Sequence, residues 1–180
     1  MKKLISTVAA IALLSTAAMA EDTTKTNSLG AILGVGSYGF VAGLDYNMDL
    51  TSMTGDMAGG KIGAEVTFLY DMGTSTDYSY YTSSQDAWGM GFLGTYTYPV
   101  AANQSVKIGL GLSYSAYNYT WTDSGTSSYF NYDSDFSVSS IGVAYNVSYD
   151  YSLGDAGTIS AIYSGMTYVA TYGVAYSYAF

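Results

Sequence analysis

The stretch Tyr172-Gly173-Val174-Ala175-Tyr176-Ser177-Tyr178-Ala179-Phe180 decides the fold. Large side chains stand at every second position, and the residues between them are Gly, Ala or Ser. Because successive side chains of a β-strand point to opposite faces, this pattern predicts a strand with one aromatic face and one face of small residues. An exposed aromatic strand invites pairing with other chains, whereas closure into a barrel within lipid removes the edge and turns the aromatic face to the bilayer.

A similar alternation recurs along the rest of the chain and predicts seven more strands. We expect them at residues 28–35, 38–49, 61–72, 87–98, 106–119, 135–149 and 158–164, ahead of the closing strand. Long polar stretches at residues 73–86 and 120–134 follow the third and fifth strands, and the other connections are turns. Pro99 is expected to end the fourth strand, because proline has no N–H to donate to the ladder. The predicted fold class is all-β, an eight-stranded antiparallel up-and-down transmembrane β-barrel.

The first twenty residues are typical of an export signal. Lys2 and Lys3 precede an apolar run at residues 4–18, and residues 18–20 form a cleavage site of the A-x-A type. This apolar run is too short to act as a transmembrane helix. We expect residues 1–20 to be removed and residues 21–180 to form one barrel domain.

Composition excludes several classes of function. The chain has 21 Tyr, 21 Gly, one Pro, no His and no Cys, and its formal net charge is −9. A polyanion of this kind repels nucleic acid, whose binding needs a basic face. Without Cys there is no lipid anchor or disulfide, and metal sites built from His and Cys are excluded.

Aromatic residues collect at the two ends of the predicted apolar face, with aliphatic residues between them. One end carries Tyr46, Tyr98, Tyr149, Tyr178 and Phe180. The other end carries Tyr38, Phe68, Tyr70, Trp88 and Tyr172. Two aromatic belts around an aliphatic band are typical of proteins that cross a bilayer, because amphipathic rings prefer the membrane–water interface.

The terminal Phe180, with Tyr172, Val174, Tyr176 and Tyr178 at alternating positions, resembles the C-terminal assembly signal of bacterial outer-membrane β-barrels. The whole chain resembles the small eight-stranded barrels of the porin-like superfamily, which includes the OmpA, OmpX and OmpW types. The resemblance implies a bacterial outer-membrane location, a periplasmic C-terminus and long loops outside the cell. It also implies a monomer whose partners are outer-membrane lipid, lipopolysaccharide and the barrel-assembly machinery. No loop motif selects a subfamily.

The face opposite the apolar one is rich in glycine and is expected to line the lumen. Its predicted charges are Asp45, Asp49, Lys61, Glu65, Asp71 and Lys107. A turn centred near residues 55–56 would place Asp45 across from Glu65 and Asp49 across from Lys61. These charges either line a hydrated, cation-preferring passage or plug an interior that side chains already fill. We favour the plug because eight strands leave little room, although the many glycines weaken that argument.

The long polar stretches indicate two alternative functions. They contain Tyr, Ser, Thr and Asp but no Lys or Arg, a mixture shared with paratopes, in which Tyr offers contact area and Ser adaptable hydrogen bonds. This favours a structural or surface-recognition (adhesin-like) role toward an extracellular ligand that the sequence does not identify. The alternative is a narrow porin-like channel for small solutes. Enzymes on such barrels resemble one another in using a His base, which this chain lacks, so we predict no catalysis and no cofactor.

The sixth strand contains a break in its alternation. Phe136 and Val138 are apolar at even positions, whereas Ile141, Val143 and the apolar residues after them stand at odd positions. A strand cannot exchange its faces without an extra residue, so either a β-bulge lies at residues 139–140 or the strand projects beyond the membrane. We favour projection, and expect Phe136 and Val138 to pack inside the barrel mouth against tyrosines such as Tyr119 and Tyr129.

Overall fold

Eight antiparallel strands close into a barrel in a computed structural model that describes residues 27–55, 57–78, 81–123 and 134–180. The strands are β1 (Asn27–Gly36), β2 (Phe40–Asp49), β3 (Lys61–Asp77), β4 (Tyr81–Ala101), β5 (Gln104–Asp123), β6 (Ser134–Ser152), β7 (Thr158–Gly165) and β8 (Ala170–Ala179). Each strand pairs with its neighbours in the chain, and β1 pairs with β8. The predicted all-β, eight-stranded antiparallel barrel is therefore confirmed. The predicted export signal, residues 1–20, lies outside the described residues.

The predicted alternation of faces follows from the period of a strand. In β5, Ile108, Leu110 and Leu112 are exposed on the outer face, whereas Ser113 and Ser115 are buried on the inner face. The same division holds around the barrel, because a continuous register between paired strands, as in the β5–β6 ladder, keeps their alternate side chains in step. No helix in the described part of the chain is long and apolar enough to span a membrane.

The barrel has two unlike ends, which we name by what they carry. The terminal end holds Asn27 and Phe180, whose backbone groups exchange two hydrogen bonds of 2.9 and 3.4 Å. It also holds the β2–β3, β4–β5 and β6–β7 connections, which include the short helix α1 (Thr51–Thr54) and a 3-10 helix (Gly154–Ala156). The loop end is opposite and carries the β1–β2, β3–β4, β5–β6 and β7–β8 connections.

The prediction of a polar loop at residues 73–86 was wrong. β3 continues to Asp77 and β4 begins at Tyr81, so most of this stretch is paired strand. Its Ser, Thr and Tyr residues suit a strand that is solvated on both sides, where the apolar alternation is lost but β-propensity remains. A bulge at Gly73, which has a φ of 67°, inserts one extra residue between the pairs Asp71–Ala87 and Thr74–Gln85. In the second predicted loop β5 reaches Asp123 and β6 begins at Ser134.

Pro99 does not end the fourth strand, contrary to expectation. β4 runs on to Ala101, and Pro99 lies opposite Ser105 in the β4–β5 ladder. The last pair between β3 and β4 is Lys61–Thr97, so Pro99 lies where β4 has a partner on one side only. A missing N–H is tolerated on such an edge. The ladder becomes irregular between Pro99 and Ala101.

Candidate functional site

A hydrogen-bonded polar layer crosses the barrel interior in its terminal half. Lys107 Nζ donates to Glu65 Oε2 at 2.7 Å and to Asn47 Oδ1 at 3.0 Å. Glu65 Oε1 accepts from Asn146 Nδ2 at 2.7 Å and from Thr67 Oγ1 at 2.6 Å. Glu65 is only 1% exposed, so the ion pair with Lys107 lies in the interior. The layer connects β2, β3, β5 and β6 across the lumen.

Asp45 extends this layer toward β1. Its Oδ2 accepts a hydrogen bond from Asn47 Nδ2. Its other oxygen lies over Gly30, where a Cβ atom would come within 2.2 Å of it. A glycine is therefore needed opposite Asp45 to leave room for the carboxylate.

The predicted pairing of the lumen charges was wrong by two residues. Asp45 lies across from Thr67 rather than Glu65, and Asp49 lies across from Gly63 rather than Lys61. The β2–β3 connection shifts the register because it combines helix α1 with a tight turn at Met57–Gly60. Asp49 and Lys61 still form an ion pair at 3.2 Å, on the diagonal and at the exposed rim of the terminal end.

An apolar layer closes the loop half of the lumen. Its buried members are Ile32, Val41, Leu69, Ala87, Leu93, Ala144, Ile162, Met166, Val169 and Ala175. Two of these, Met166 and Val169, belong to the β7–β8 turn, in which the N–H of Met166 donates to the carbonyl of Val169 at 2.7 Å. This turn folds inward, so the shortest hairpin of the barrel covers the interior.

At several lumen glycines, a neighbouring side chain occupies the position that a Cβ atom would take. A Cβ on Gly89 would come within 2.6 Å of Met166 Sδ, and a Cβ on Gly142 within 1.9 Å of Thr167 Oγ1. On Gly43 it would meet Leu69 Cδ2 at 2.7 Å. The glycines that weakened the argument for a plug therefore leave room for other side chains of the interior.

A polar vestibule of about 220 Å³ opens at the terminal end. Six of its sixteen lining residues are Ser or Thr, and it reaches Lys107, Asn47 and Asp150. The rim pair Asp49 and Lys61 also lines it. Solutes of the terminal compartment can therefore approach the polar layer, which the apolar layer separates from the loop end.

Asp71, the remaining predicted lumen charge, lies apart from this polar layer. It is completely buried near the loop end. Its Oδ2 accepts from the backbone N–H of Tyr38 at 2.9 Å, and its Oδ1 accepts from the backbone N–H of Gly73 at 3.0 Å. Both oxygens are thus used to fix backbone, which gives Asp71 a structural role.

Four strands continue past the barrel at the loop end and form what we name the projecting sheet. It comprises residues 74–77 of β3, 81–86 of β4, 117–123 of β5 and 134–140 of β6. Its inner face is aromatic: the rings of Tyr81 and Trp121 meet edge to face at 5.0 Å, and Tyr78 stacks on Tyr81 at 4.5 Å. Nearer the barrel, Tyr117 packs on Tyr38 at 5.0 Å.

The projecting sheet has an open edge along β6. The last pair between β6 and β7 is Tyr145–Gly165, so residues 134–144 of β6 have no β7 partner. The β5–β6 register is continuous from Trp121–Ser134 to Gln104–Tyr151, which excludes the bulge at residues 139–140.

Phe136 and Val138 therefore lie on the inner face of a projecting strand, as the favoured explanation required. Phe136 is nevertheless 57% exposed, so the prediction that it packs inside the mouth was wrong for this residue. Phe136 lies opposite Tyr119 in the ladder. Tyr129, the other predicted partner, lies outside the described residues.

The outer face of the barrel exposes a continuous apolar band. Leu110, Leu112, Ile141 and Val143 are all more than half exposed. Around the loop end of this band, Trp88 contacts Phe68 and Tyr114, while Tyr163 stacks on Tyr172 at 4.3 Å. Apolar patches of this extent are covered by lipid or by a partner.

Tyr38 does not belong to the predicted outer belt. β2 begins at Phe40, so Tyr38 stands in the β1–β2 turn and packs inward against the apolar layer. The proposed assembly residues occupy β8 and the position after it. Tyr172, Val174 and Tyr176 are exposed on the outer face, Tyr178 pairs with Leu29, and Phe180 pairs with Asn27.

Sequence reasoning missed the neutral and turn residues that complete the interior. Asn146 stands at an even position of β6, whereas Val143 and Val147 stand at odd positions on the outer face. The alternation therefore contained the signal that assigns Asn146 to the lumen. Met166 and Val169 lie in a turn, where no periodic signal exists. Their burial follows from the shortness of the β7–β8 hairpin.

No protein-family model matches the chain, and no curated protein matches it. Solved structures do match. The major outer membrane protein of Thermus thermophilus gives a TM-score of 0.63 at 12% identity, covering 86% of this chain and 99% of that one. Ail, the attachment invasion locus protein of Yersinia pestis, gives 0.50 at 12% identity, covering 85% and 97%. Ail in complex with the heparin analogue sucrose octasulfate gives 0.51 at 14% identity, covering 86% and 97%. The chain therefore has the fold of these outer-membrane barrels.

Proposed function

We propose that this protein is an outer-membrane barrel that presents its projecting sheet at the cell surface for recognition of an extracellular partner. The observation that carries this proposal is the continuation of β3 to β6 past the barrel as a sheet with an aromatic inner face. Two of the proteins whose fold it shares, the Thermus protein and Ail, are outer-membrane barrels.

The surface of the barrel supports the membrane location. The exposed band around Leu110, Leu112 and Val143 matches the lipid-facing side of small outer-membrane barrels. We place the terminal end in the periplasm and the loop end outside, with lipid and lipopolysaccharide around the band and the barrel-assembly machinery acting on β8. The protein works as a monomer, because β8 pairs with β1 of the same chain and the barrel closes without a second copy.

The projecting sheet limits the chemistry of the partner. It offers aromatic rings, hydroxyl groups and the carboxylates of Asp77, Asp123 and Asp135, and neither 73–86 nor 117–140 contains Lys or Arg. Aromatic and hydroxyl groups suit a protein or carbohydrate surface that is neutral or basic. A sulfated polyanion such as the Ail ligand sucrose octasulfate would meet like charge, so we do not extend that ligand class to this chain.

The open edge of β6 adds a second means of contact. Within the projecting sheet, residues 134–140 of β6 have no β7 partner for their backbone N–H and C=O groups. An extended segment of a partner protein can add a strand to such an edge, which provides main-chain hydrogen bonds without demanding a particular sequence. A protein partner with an accessible extended segment therefore fits the projecting sheet best.

Adhesion by cells that display the protein tests this function. The variant Trp121→Ala/Phe136→Ala removes inner-face aromatic side chains, and Ser83→Ala changes a small residue of the same face as a matched control. With equal amounts of protein at the surface of a Gram-negative host, the aromatic variant should bind epithelial cell layers several-fold less than the wild type, and Ser83→Ala should bind normally. Equal binding by cells with and without the protein would contradict the proposal.

Conductance measurements distinguish the proposed recognition function from the alternative, a narrow channel. The Glu65–Lys107 layer and the apolar layer around Met166 lie across the lumen beyond the vestibule, so purified protein in planar bilayers should give no regular conductance steps. Uniform steps that disappear when the lumen is mutated would establish the narrow channel instead.

A further inference from the structure

Several buried polar atoms in the terminal half of the lumen have no hydrogen-bond partner among the described residues. Asp45 Oδ1 and Asn146 Oδ1 are buried and have no hydrogen-bond partner in the described part of the chain. Asp45 is 4% exposed and Asn146 is 1% exposed. The same condition holds for Ser148 Oγ and Asp150 Oδ1 on β6. Buried polar atoms are normally paired, and three of these four are oxygens that only accept, so a bound group with positive character would satisfy them.

The charges of this region point in the same direction. The carboxylates of Asp45, Glu65 and Asp150 interact electrostatically with the single ammonium group of Lys107. Lys107 directs hydrogen bonds to Glu65 and Asn47, and none is observed from it to Asp45. The interior therefore carries excess negative charge inside a wall of low dielectric constant, where an uncompensated charge is costly.

We propose that this layer binds one small monovalent cation, Na⁺ or K⁺, with the Asp45 carboxylate as its anionic ligand. Hard cations prefer oxygen ligands, and the unpaired groups here are a carboxylate, an amide oxygen and a hydroxyl. Calcium usually takes six to eight oxygens with several carboxylates, and no group of three or more acidic, His or Cys residues suited to a metal ion occurs among the described residues. Glu65 is paired with Lys107 and Asp150 lines the vestibule, so a single positive charge offsets the remaining carboxylate, Asp45.

The vestibule provides the route to this site. It opens at the terminal end and reaches Asp150 and two members of the polar layer, Lys107 and Asn47, of which Asn47 is hydrogen-bonded to Asp45. The apolar layer that contains Leu69 and Met166 closes the other side. The cation therefore exchanges with the terminal compartment only, and its binding stabilises the barrel without creating a passage.

The test compares thermal unfolding of the folded, detergent-solubilised protein in NaCl, KCl and choline chloride at equal ionic strength. A cation that binds only the folded barrel raises the unfolding temperature with the logarithm of its concentration. We expect wild type to unfold several degrees higher in NaCl or KCl than in choline chloride, because choline is too large for the layer. Asp45→Asn should abolish that difference, whereas Asp135→Asn, which changes an exposed carboxylate on β6, should retain it.

A second measurement does not depend on stability. Wild-type protein should broaden the ²³Na magnetic resonance line, K⁺ should reverse the broadening, and choline should not. If Asp45→Asn fails to fold, Asp150→Asn replaces it and should weaken the broadening. Equal unfolding temperatures in all three salts with no line broadening would overturn the proposal in favour of bound water, as would an unchanged cation dependence in Asp45→Asn.

Discussion

Asp71 Oδ2 accepts a hydrogen bond from the backbone N–H of Tyr38 at 2.9 Å, which joins the β1–β2 turn to β3 near the loop end of the barrel. The other oxygen accepts from the N–H of Gly73 within the β3 bulge. One buried carboxylate therefore fixes the point where the closed barrel ends and the projecting sheet begins. The Tyr38 ring, held by this contact, packs on Tyr117 of β5.

Asp71→Asn should destabilise the barrel by about 1–3 kcal/mol, because the amide NH₂ presents a donor to a backbone N–H that then stays buried and unpaired. Denaturant unfolding in lipid vesicles measures the loss. Asp77→Asn, which changes an exposed carboxylate on the projecting part of β3, should alter the free energy of unfolding by less than about 0.5 kcal/mol. Equal effects of the two substitutions would show that the Asp71 contacts are unimportant.

Lys107→Met should cost about 3–5 kcal/mol, because it leaves the Glu65 carboxylate buried without its cation. The double variant Lys107→Met/Glu65→Gln should regain a large part of this loss, since the Gln side chain is neutral and its carbonyl oxygen still accepts from Asn146 and Thr67. Unfolding free energies of the two variants test the argument. A double variant no more stable than the single one would mean that Lys107 acts mainly through packing.

The alternation of faces was predictable because it depends only on the period of a strand. Leu110 and Ser113, three positions apart, fall on opposite faces whatever the register of the neighbours. The strand ends were less predictable. Past Met72 neither face of β3 carries a large apolar side chain, so the apolar signal disappears while backbone pairing continues to Asp77.

The contacts inside the barrel could not be predicted from the periodicity of the sequence alone. The opposition of Asp45 to Thr67 depends on how many residues the β2–β3 connection absorbs, and helix α1 changed that number. The contact of Met166 with Gly89 depends on the β7–β8 hairpin being short enough to fold inward. Both are consequences of connection geometry, which alternation along single strands does not specify.

Leu110→Lys should destabilise the barrel by roughly 2–4 kcal/mol, because it places a charge in the middle of the lipid-facing band. Leu110 is 68% exposed on the outer face. The matched control is Thr97→Lys, on the inner face beside the vestibule, where a lysine can reach water. Ser113, although on the inner face, is buried and would confuse charge with overpacking. Unfolding in liposomes should separate the two variants, and equal losses would mean that the band does not face lipid.

Gly89→Ala should destabilise the barrel by about 1–3 kcal/mol, because the new methyl group overlaps Met166 Sδ and forces the β7–β8 turn outward. Met166→Ala removes that obstacle, so the double variant should be more stable than the sum of the single losses predicts. A double-mutant cycle of unfolding free energies measures this coupling. Strict additivity would show that Met166 does not occupy the space beside Gly89.

Phe180 contributes a backbone pair and an aromatic ring, and substitution can distinguish the effects of the two. Its backbone pairs with Asn27 and so completes the β8–β1 closure, while its ring continues the alternating aromatic face of Tyr176 and Tyr178. Phe180→Ala keeps the backbone pair and removes the ring, and Phe180→Tyr keeps both. If the ring is recognised during assembly, Phe180→Ala and deletion of Phe180 should both lower the amount of heat-modifiable folded barrel in the membrane several-fold, whereas Phe180→Tyr should match wild type. Normal amounts from Phe180→Ala with a defect in the deletion alone would assign the whole effect to strand closure, because only the deletion removes the hydrogen bonds to Asn27.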